Sequence, residues 1–140
     1  GHWDHIQAVP AVRDAGYLVG VTAADAAMLP SYDYLLEDDA VIQVGRLRLH
    51  TICTPGHTPG HRSLLVRLAN RGPILLSGDV AHFRENWNHK GVPSFNTSRA
   101  ESLASMDRMH DVADQLGATL VIQHEPADIA KLAVFPEASY

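Results

Sequence analysis

The chain has 140 residues, 46% of them hydrophobic, and carries 16 acidic against 11 basic side chains for a formal net charge of −5. That length suits about one domain, and the composition is that of a chain with a buried core, not of a disordered one. No basic run offers a phosphate-binding stripe and no apolar run approaches the ~18 residues of a membrane span, so neither a nucleic-acid nor a membrane partner is expected.

The chain opens on Gly1-His2-Trp3-Asp4-His5, with potential metal ligands at positions 2, 4 and 5. Neighbouring side chains on a helix diverge by about 100°, so one helix would scatter the trio and a loop ahead of a helix is expected. Residues 6–15 read as that helix, weakened by Pro10 and ended by Gly16. A short strand follows at 17–21, then a helix over 23–29 with Thr22 as its N-cap and Pro30 as its stop, then an acidic, irregular connection over 31–40. Residues 41–44 and 47–54 around Gly45-Arg46 predict a hairpin, and 63–68 and 74–76 the next two strands. Cys53 is the only cysteine, which excludes an internal disulfide, and its apolar run makes it a small buried hydrophobe. Residues 80–95 show no clear period. Ser98-x-x-Glu101 reads as a capping box, and Leu103, Met106, Met109, Ala113 and Leu116 recur at helical spacing up to Gly117. Residues 119–122 form a last buried strand that delivers His124, and the tail from Pro126 packs outside.

Four places share one arrangement, a His or Asp in a turn beside an apolar run: His2 to His5, Thr54-Pro55-Gly56-His57-Thr58-Pro59-Gly60-His61, Ser77-Gly78-Asp79, and Gln123-His124-Glu125. A histidine between Gly and Thr in a Pro-Gly turn has little to pack against, which favours a ligand at His57. Asp79 could instead cap a helix, and His124 could be a satisfied histidine at a strand end. His61 reads as an outer support of the turn. Imidazole and carboxylate donors without thiolates suit zinc, and also manganese, iron or cobalt. No Gly-x-Ser-x-Gly nucleophile elbow competes with metal chemistry.

Together these residues resemble the metallo-β-lactamase-fold hydrolases, whose pattern is H-x-H-x-D-H, then a His in a Gly-His-Thr turn, then an Asp, then a final His. The first His of that pattern would precede Gly1, and family members also carry an N-terminal half with its own sheet. The resemblance therefore implies an α/β (α+β) fold: a metallo-β-lactamase-like αββα sandwich, partial, lacking the N-terminal half, with residues 1–140 as its C-terminal portion. Half a sandwich exposes an apolar sheet face, which an upstream segment or a second copy would cover. The resemblance also implies that His2 and His57 hold one metal ion, that Asp4, His5 and His124 hold a second, and that Asp79 bridges them. Two Zn2+ ions per complete site are expected, with Mn, Fe or Co as alternatives. Such ions lower the pKa of water from ~15.7 to about 7, which would make a metal-bridging hydroxide the nucleophile, with Asp4 passing a proton to the leaving group.

The acid at Asp79 points away from true β-lactamases, which generally lack it, and toward lactonases and glyoxalase II-like thioesterases. The passage Gly78 to Trp87, followed by Val92-Pro93-Ser94-Phe95-Asn96, looks like the N-acyl-homoserine lactonase branch. Many lactonases place a Tyr three residues after the bridging Asp to hydrogen-bond the substrate carbonyl; His82 stands there and can also donate. Phe83, Trp87 and Phe95 either line an acyl-chain groove or close the sandwich edge. The expected partner is a small-molecule substrate with an ester-like bond, most readily a lactone. A thioesterase, β-lactamase or phosphotriesterase-like activity, or a metal-binding but inactive fragment, are the alternatives.

Overall fold

The computed structural model describes residues 2–134 and 136–138. It begins with two short helices, α1 (Trp3–Ile6) and α2 (Val9–Asp14). The loop expected around Asp4 and His5 is thus a helical turn with His2 at its N-cap. The single helix expected over 6–15 breaks before Val9, because Pro10 has no N–H to donate and fits only the first turn of a new helix. Two short strands follow, β1 (Gly20–Thr22) and β2 (Tyr34–Leu36), paired in parallel as a separate sheet. Tyr17 and Leu18 stay exposed ahead of β1. Between the strands, the helix expected at 23–29 is a 3-10 helix, Ala23–Met28. The side chain of its buried Asp25 accepts bonds from Thr58 and Gly60, and Pro30 leaves no room to extend the helix. β2 lies in the acidic stretch read as irregular; its strand geometry comes from pairing with β1, which local sequence does not encode.

The main sheet is β3 (Val41–Val44), β4 (Leu47–Cys53), β5 (Arg62–Leu68), β6 (Gly72–Leu76) and β7 (Thr119–Val121), in that spatial order. Successive pairs are antiparallel up to β6, and β6 to β7 is parallel. A parallel partner needs a crossover. Helices α3 (Arg84–His89) and α4 (Arg99–Leu116) supply it. They cover one face of the sheet, where Met106 and Met109 pack with Leu75, Ala81, Trp87, Leu120 and Ile122. A smaller apolar cluster, Val66, Ile74 and Val121, occupies the other face.

The buried stripe of α4 is turned from the expected one: Leu103 is half-buried and Leu116 exposed, while Ser102 and Ser105 are buried beside the two methionines. The small serines let the helix come down on the Pro55-Gly56 turn. Ser105 Oγ donates to the Pro55 carbonyl at 2.7 Å, and a Cβ on Gly56, whose φ is +129°, would lie 2.3 Å from the Ser102 nitrogen. Only half of the capping box forms. Ser98 Oγ accepts the Glu101 N–H at 3.2 Å, but the Ser98 N–H already donates to the Gly56 carbonyl, which leaves the Glu101 side chain nothing to cap. Cys53 is half-buried instead of buried, since it ends β4 at the sheet margin. The tail does not simply lie outside: α5 (Pro126–Ile129) buries Asp128, and Leu132 packs on the second face of the sheet. Phe135, Ser139 and Tyr140 of that tail fall outside the described residues. Among the described residues no helix is long and apolar enough to cross a membrane.

Candidate metal centre

Because β5 is antiparallel to both its neighbours and β7 is parallel to β6, strands β4, β6 and β7 all run the same way. Their carboxyl ends therefore share one edge, and the three apolar runs deliver the His57 turn, Asp79 and His124 to it. The α1 turn brings His5 to the same place.

Asp79 is the centre. It is 5% exposed, its Oδ2 lies 3.0 Å from His5 Nε2 and 3.3 Å from His57 Nε2, and its Oδ1 lies 3.0 Å from His124 Nε2. Its N–H donates to His61 Nε2 at 2.8 Å. Gly78 makes that approach possible: its φ is +57°, and a Cβ there would sit 2.6 Å from the same His61 nitrogen. Since His61 Nε2 accepts, its proton is assigned to Nδ1, which lies 3.0 Å from the Thr54 carbonyl oxygen. Both nitrogens are committed, so His61 supports the turn and cannot ligate. Burial pushes it down to about 4, which keeps it neutral.

His57 is held from behind. Its Nδ1 lies 3.0 Å from Asn96 Oδ1, Asn96 Nδ2 donates to Ser102 Oγ at 2.9 Å, and that hydroxyl donates to the Ser98 carbonyl. With a proton on Nδ1, the lone pair of Nε2 faces Asp79. The turn is fixed from the other side by Asp25, which accepts the Thr58 hydroxyl at 2.6 Å and the Gly60 N–H at 2.7 Å, while Thr22 donates to the Gly60 carbonyl. Sequence reasoning passed over Ser102 and Asp25, and named Asn96 only as part of a lactonase-like passage, with no role at His57. The one available signal was an Asp inside an alanine-rich segment.

The other expected site residues are placed unequally. The His2 ring meets His57 edge-on at a centroid distance of 4.5 Å. Asp4 stays at the rim with its side chain 71% exposed, 3.6 Å from His5 Nε2. The His82 ring stacks on His124 at 5.2 Å and stands 5.3 Å from His57. Trp87 is not in a groove: it is buried in the core, stacked on His110 at 3.8 Å, because α3 turns it inward. Phe95 is exposed and packs edge-on against His57 and His82, and Phe83 is also exposed. A cavity of about 270 Å³ adjoins the cluster, lined by His2, His5, His57 and Asp79 together with Arg62 and Gln123.

The electrostatics suit a cation. Burial alone would raise the Asp79 carboxyl, but the imidazoles of His57, His5, His82 and His124 outweigh it and hold it below the usual carboxylate range. Burial pushes His57 and His82 below the usual histidine range. Burial thus favours the neutral ring, with a lone pair to give, at His57 and His82, beside a carboxylate that is held ionised. Donor atoms of His57, Asp79 and His82 lie within 4.8 Å of one another, and His82 Nδ1 is a buried nitrogen without a hydrogen-bond partner. Imidazole and carboxylate donors gathered this closely, with no thiolate among them, suit a cation, so these residues fit a bound metal.

No protein-family profile matches the chain. It is 40% identical over 101 residues to the N-acyl homoserine lactonase AttM of Rhizobium radiobacter, an alignment covering 72% of this chain and 38% of that one. The aligned residues thus span well under half the length of that relative. A solved N-acyl homoserine lactone hydrolase, with N-hexanoyl-L-homoserine bound at its catalytic metal centre, superposes at a TM-score of 0.73 and 25% identity, over 89% of this chain and 54% of the other. The hydrolase AbOPH of the β-lactamase superfamily shares the fold at a TM-score of 0.64 and 15% identity, over 78% of this chain and 48% of the other. The chain belongs to the metallo-β-lactamase-fold superfamily, on the branch that holds the N-acyl homoserine lactonases.

Proposed function

We propose that the protein hydrolyses a lactone, an N-acyl-homoserine lactone foremost, and so would quench signals of that kind. The observation that carries the reading is Asp79: a buried carboxylate met within 3.3 Å by imidazoles from three separate elements. In this reading His2 and His57 hold one cation, Asp4, His5 and His124 a second, and Asp79 lies between them, with zinc first among the candidate metals. Bound there, the cations would supply an activated water and polarise the carbonyl. In the same reading Asp4, exposed at the rim, would carry a proton to the leaving oxygen, and His82 would donate to the carbonyl oxygen. Phe95 and Phe83 offer exposed apolar surface at the mouth for an acyl chain.

The reading also includes a covering layer, an upstream segment or a second copy, because Leu35, Val41, Val44 and Leu47 are exposed on the strands. A stable, monodisperse 140-residue monomer would count against that layer. A second reading, that the chain binds metal without turnover, is favoured by the exposure of His5 and His124, at 47% and 45% of their side chains. Proton release on adding N-hexanoyl-homoserine lactone to the metal-loaded chain separates them. Ring opening that stops with chelator and exceeds thioester cleavage supports the lactonase; metal uptake with no ring opening supports the second reading.

A further inference from the structure

Behind the cluster lies a second carboxylate that the proposed chemistry does not use. Asp128 is 1% exposed. Its Oδ2 accepts the Ile122 N–H at 3.0 Å and a bond from Arg84 Nη2, and its Oδ1 accepts Lys131 Nζ at 2.5 Å. The turn between is closed on itself, since the Glu125 N–H donates to the Ile122 carbonyl and the Asp128 N–H to the Glu125 carbonyl. His124 rides on the tip of that turn. A further bond ties in Arg84, whose own N–H donates to Glu125 Oε2 at 3.1 Å. Arg84 opens α3, two residues after His82.

Two arms of the chain therefore meet twice, through Arg84 with Asp128 and through Arg84 with Glu125. One arm carries His82 and the other His124, and these two rings are stacked at 18°. We infer that the Arg84–Asp128 pair is a clamp that positions His124, and with it His82, against Asp79. The inference rests on the metal-centre reading above. An ion pair with one buried member is weak evidence for stability, because taking the Asp128 carboxylate out of water offsets much of its attraction to Arg84. What a salt bridge between two arms does supply is a fixed separation. His124 needs it more than His57 does, for its side chain is half exposed and its ring is bonded to Asp79 alone among the hydrogen bonds of the described residues. Asp128 and Arg84 are positioning residues here; neither touches the substrate.

The test is Co2+ titration of the 140-residue chain by visible absorption, comparing the parent with Asp128→Asn, Arg84→Met and, as a surface control, Asp107→Asn, which breaks the exposed pair of Lys90 and Asp107. The clamp predicts that Asp128→Asn and Arg84→Met each weaken one of two bound ions by at least about tenfold, as outer supports of metal ligands do. The other ion and the Asp107→Asn control should stay within about twofold of the parent, a pattern that general loss of stability would not produce. If Asp128→Asn fails to fold, Arg84→Met, which alters a partly exposed side chain, carries the test alone. Unchanged affinities in the variants, or equal weakening of both ions, would overturn the clamp and leave the metal centre standing. A parent that binds no Co2+ would overturn both.

Discussion

His57 and His124 face the same carboxylate, yet the chain holds them in different ways. His57 is buried, its far nitrogen is bonded to Asn96, and its turn is gripped by Asp25 and seated on the serines of α4. His124 and His5 stand at the rim with nearly half of each side chain in solvent, and both reach inward to Asp79. The buried half is organised by the protein before any ligand arrives. The rim half leans on its backbone arms and on whatever occupies the centre. Preorganised donors bind without reordering, so the two halves should differ in affinity and in sensitivity to mutation.

The severest way to break the contrast is to remove what the halves share. Asp79→Ala should abolish uptake of a pair of ions and lower lactone turnover by about a thousandfold or more, read by metal analysis and proton release. Next, His57→Ala and His124→Ala should separate the halves. The first should weaken the tighter ion and the second the looser one, each by one to two orders of magnitude in competition with a chelator, roughly the scale on which site supports act. Asn96→Ala is subtler, since it leaves every proposed ligand in place. Freeing His57 Nδ1 should weaken the tighter ion about tenfold and cost about 1 kcal/mol of unfolding free energy in urea.

The smallest effect is one of pH on the metal-free chain. His61 is held neutral in the fold, at about 4 against an ordinary 6.5, so between those values the unfolded chain binds a proton that the folded chain does not. Its contribution is complete above pH 6.5 and is lost as pH falls toward 4, with a slope of at most about 1.4 kcal/mol per pH unit. Asp79, depressed by its imidazole neighbours, acts in the same direction at the acid end. Unfolding in urea at several pH values should show the decline, and His61→Gln should flatten it.

The strand ends at His57, Asp79 and His124 were legible because each closes an apolar run, and three such runs in one sheet can share an edge. Their part as ligands belongs to the proposal. What holds them was not legible, for a reason of distance along the chain. Asp25 bonds to residues 33 and 35 positions on, and Arg84 to one 44 positions on, and no local period records such partners. Trp87 and Phe95 illustrate the same limit, since aromatic spacing in an irregular stretch does not say which ring turns inward. The stripe on α4 misled because burial there follows close approach to the Gly56 turn, which favours serine over leucine.

The most direct measurement is anomalous X-ray scattering from crystals of the chain grown with Zn2+. Two peaks should flank the Asp79 carboxylate, one beside His57 and the other beside His5 and His124. A carboxylate with no peak next to it, or zinc bound only elsewhere on the surface, would contradict the account.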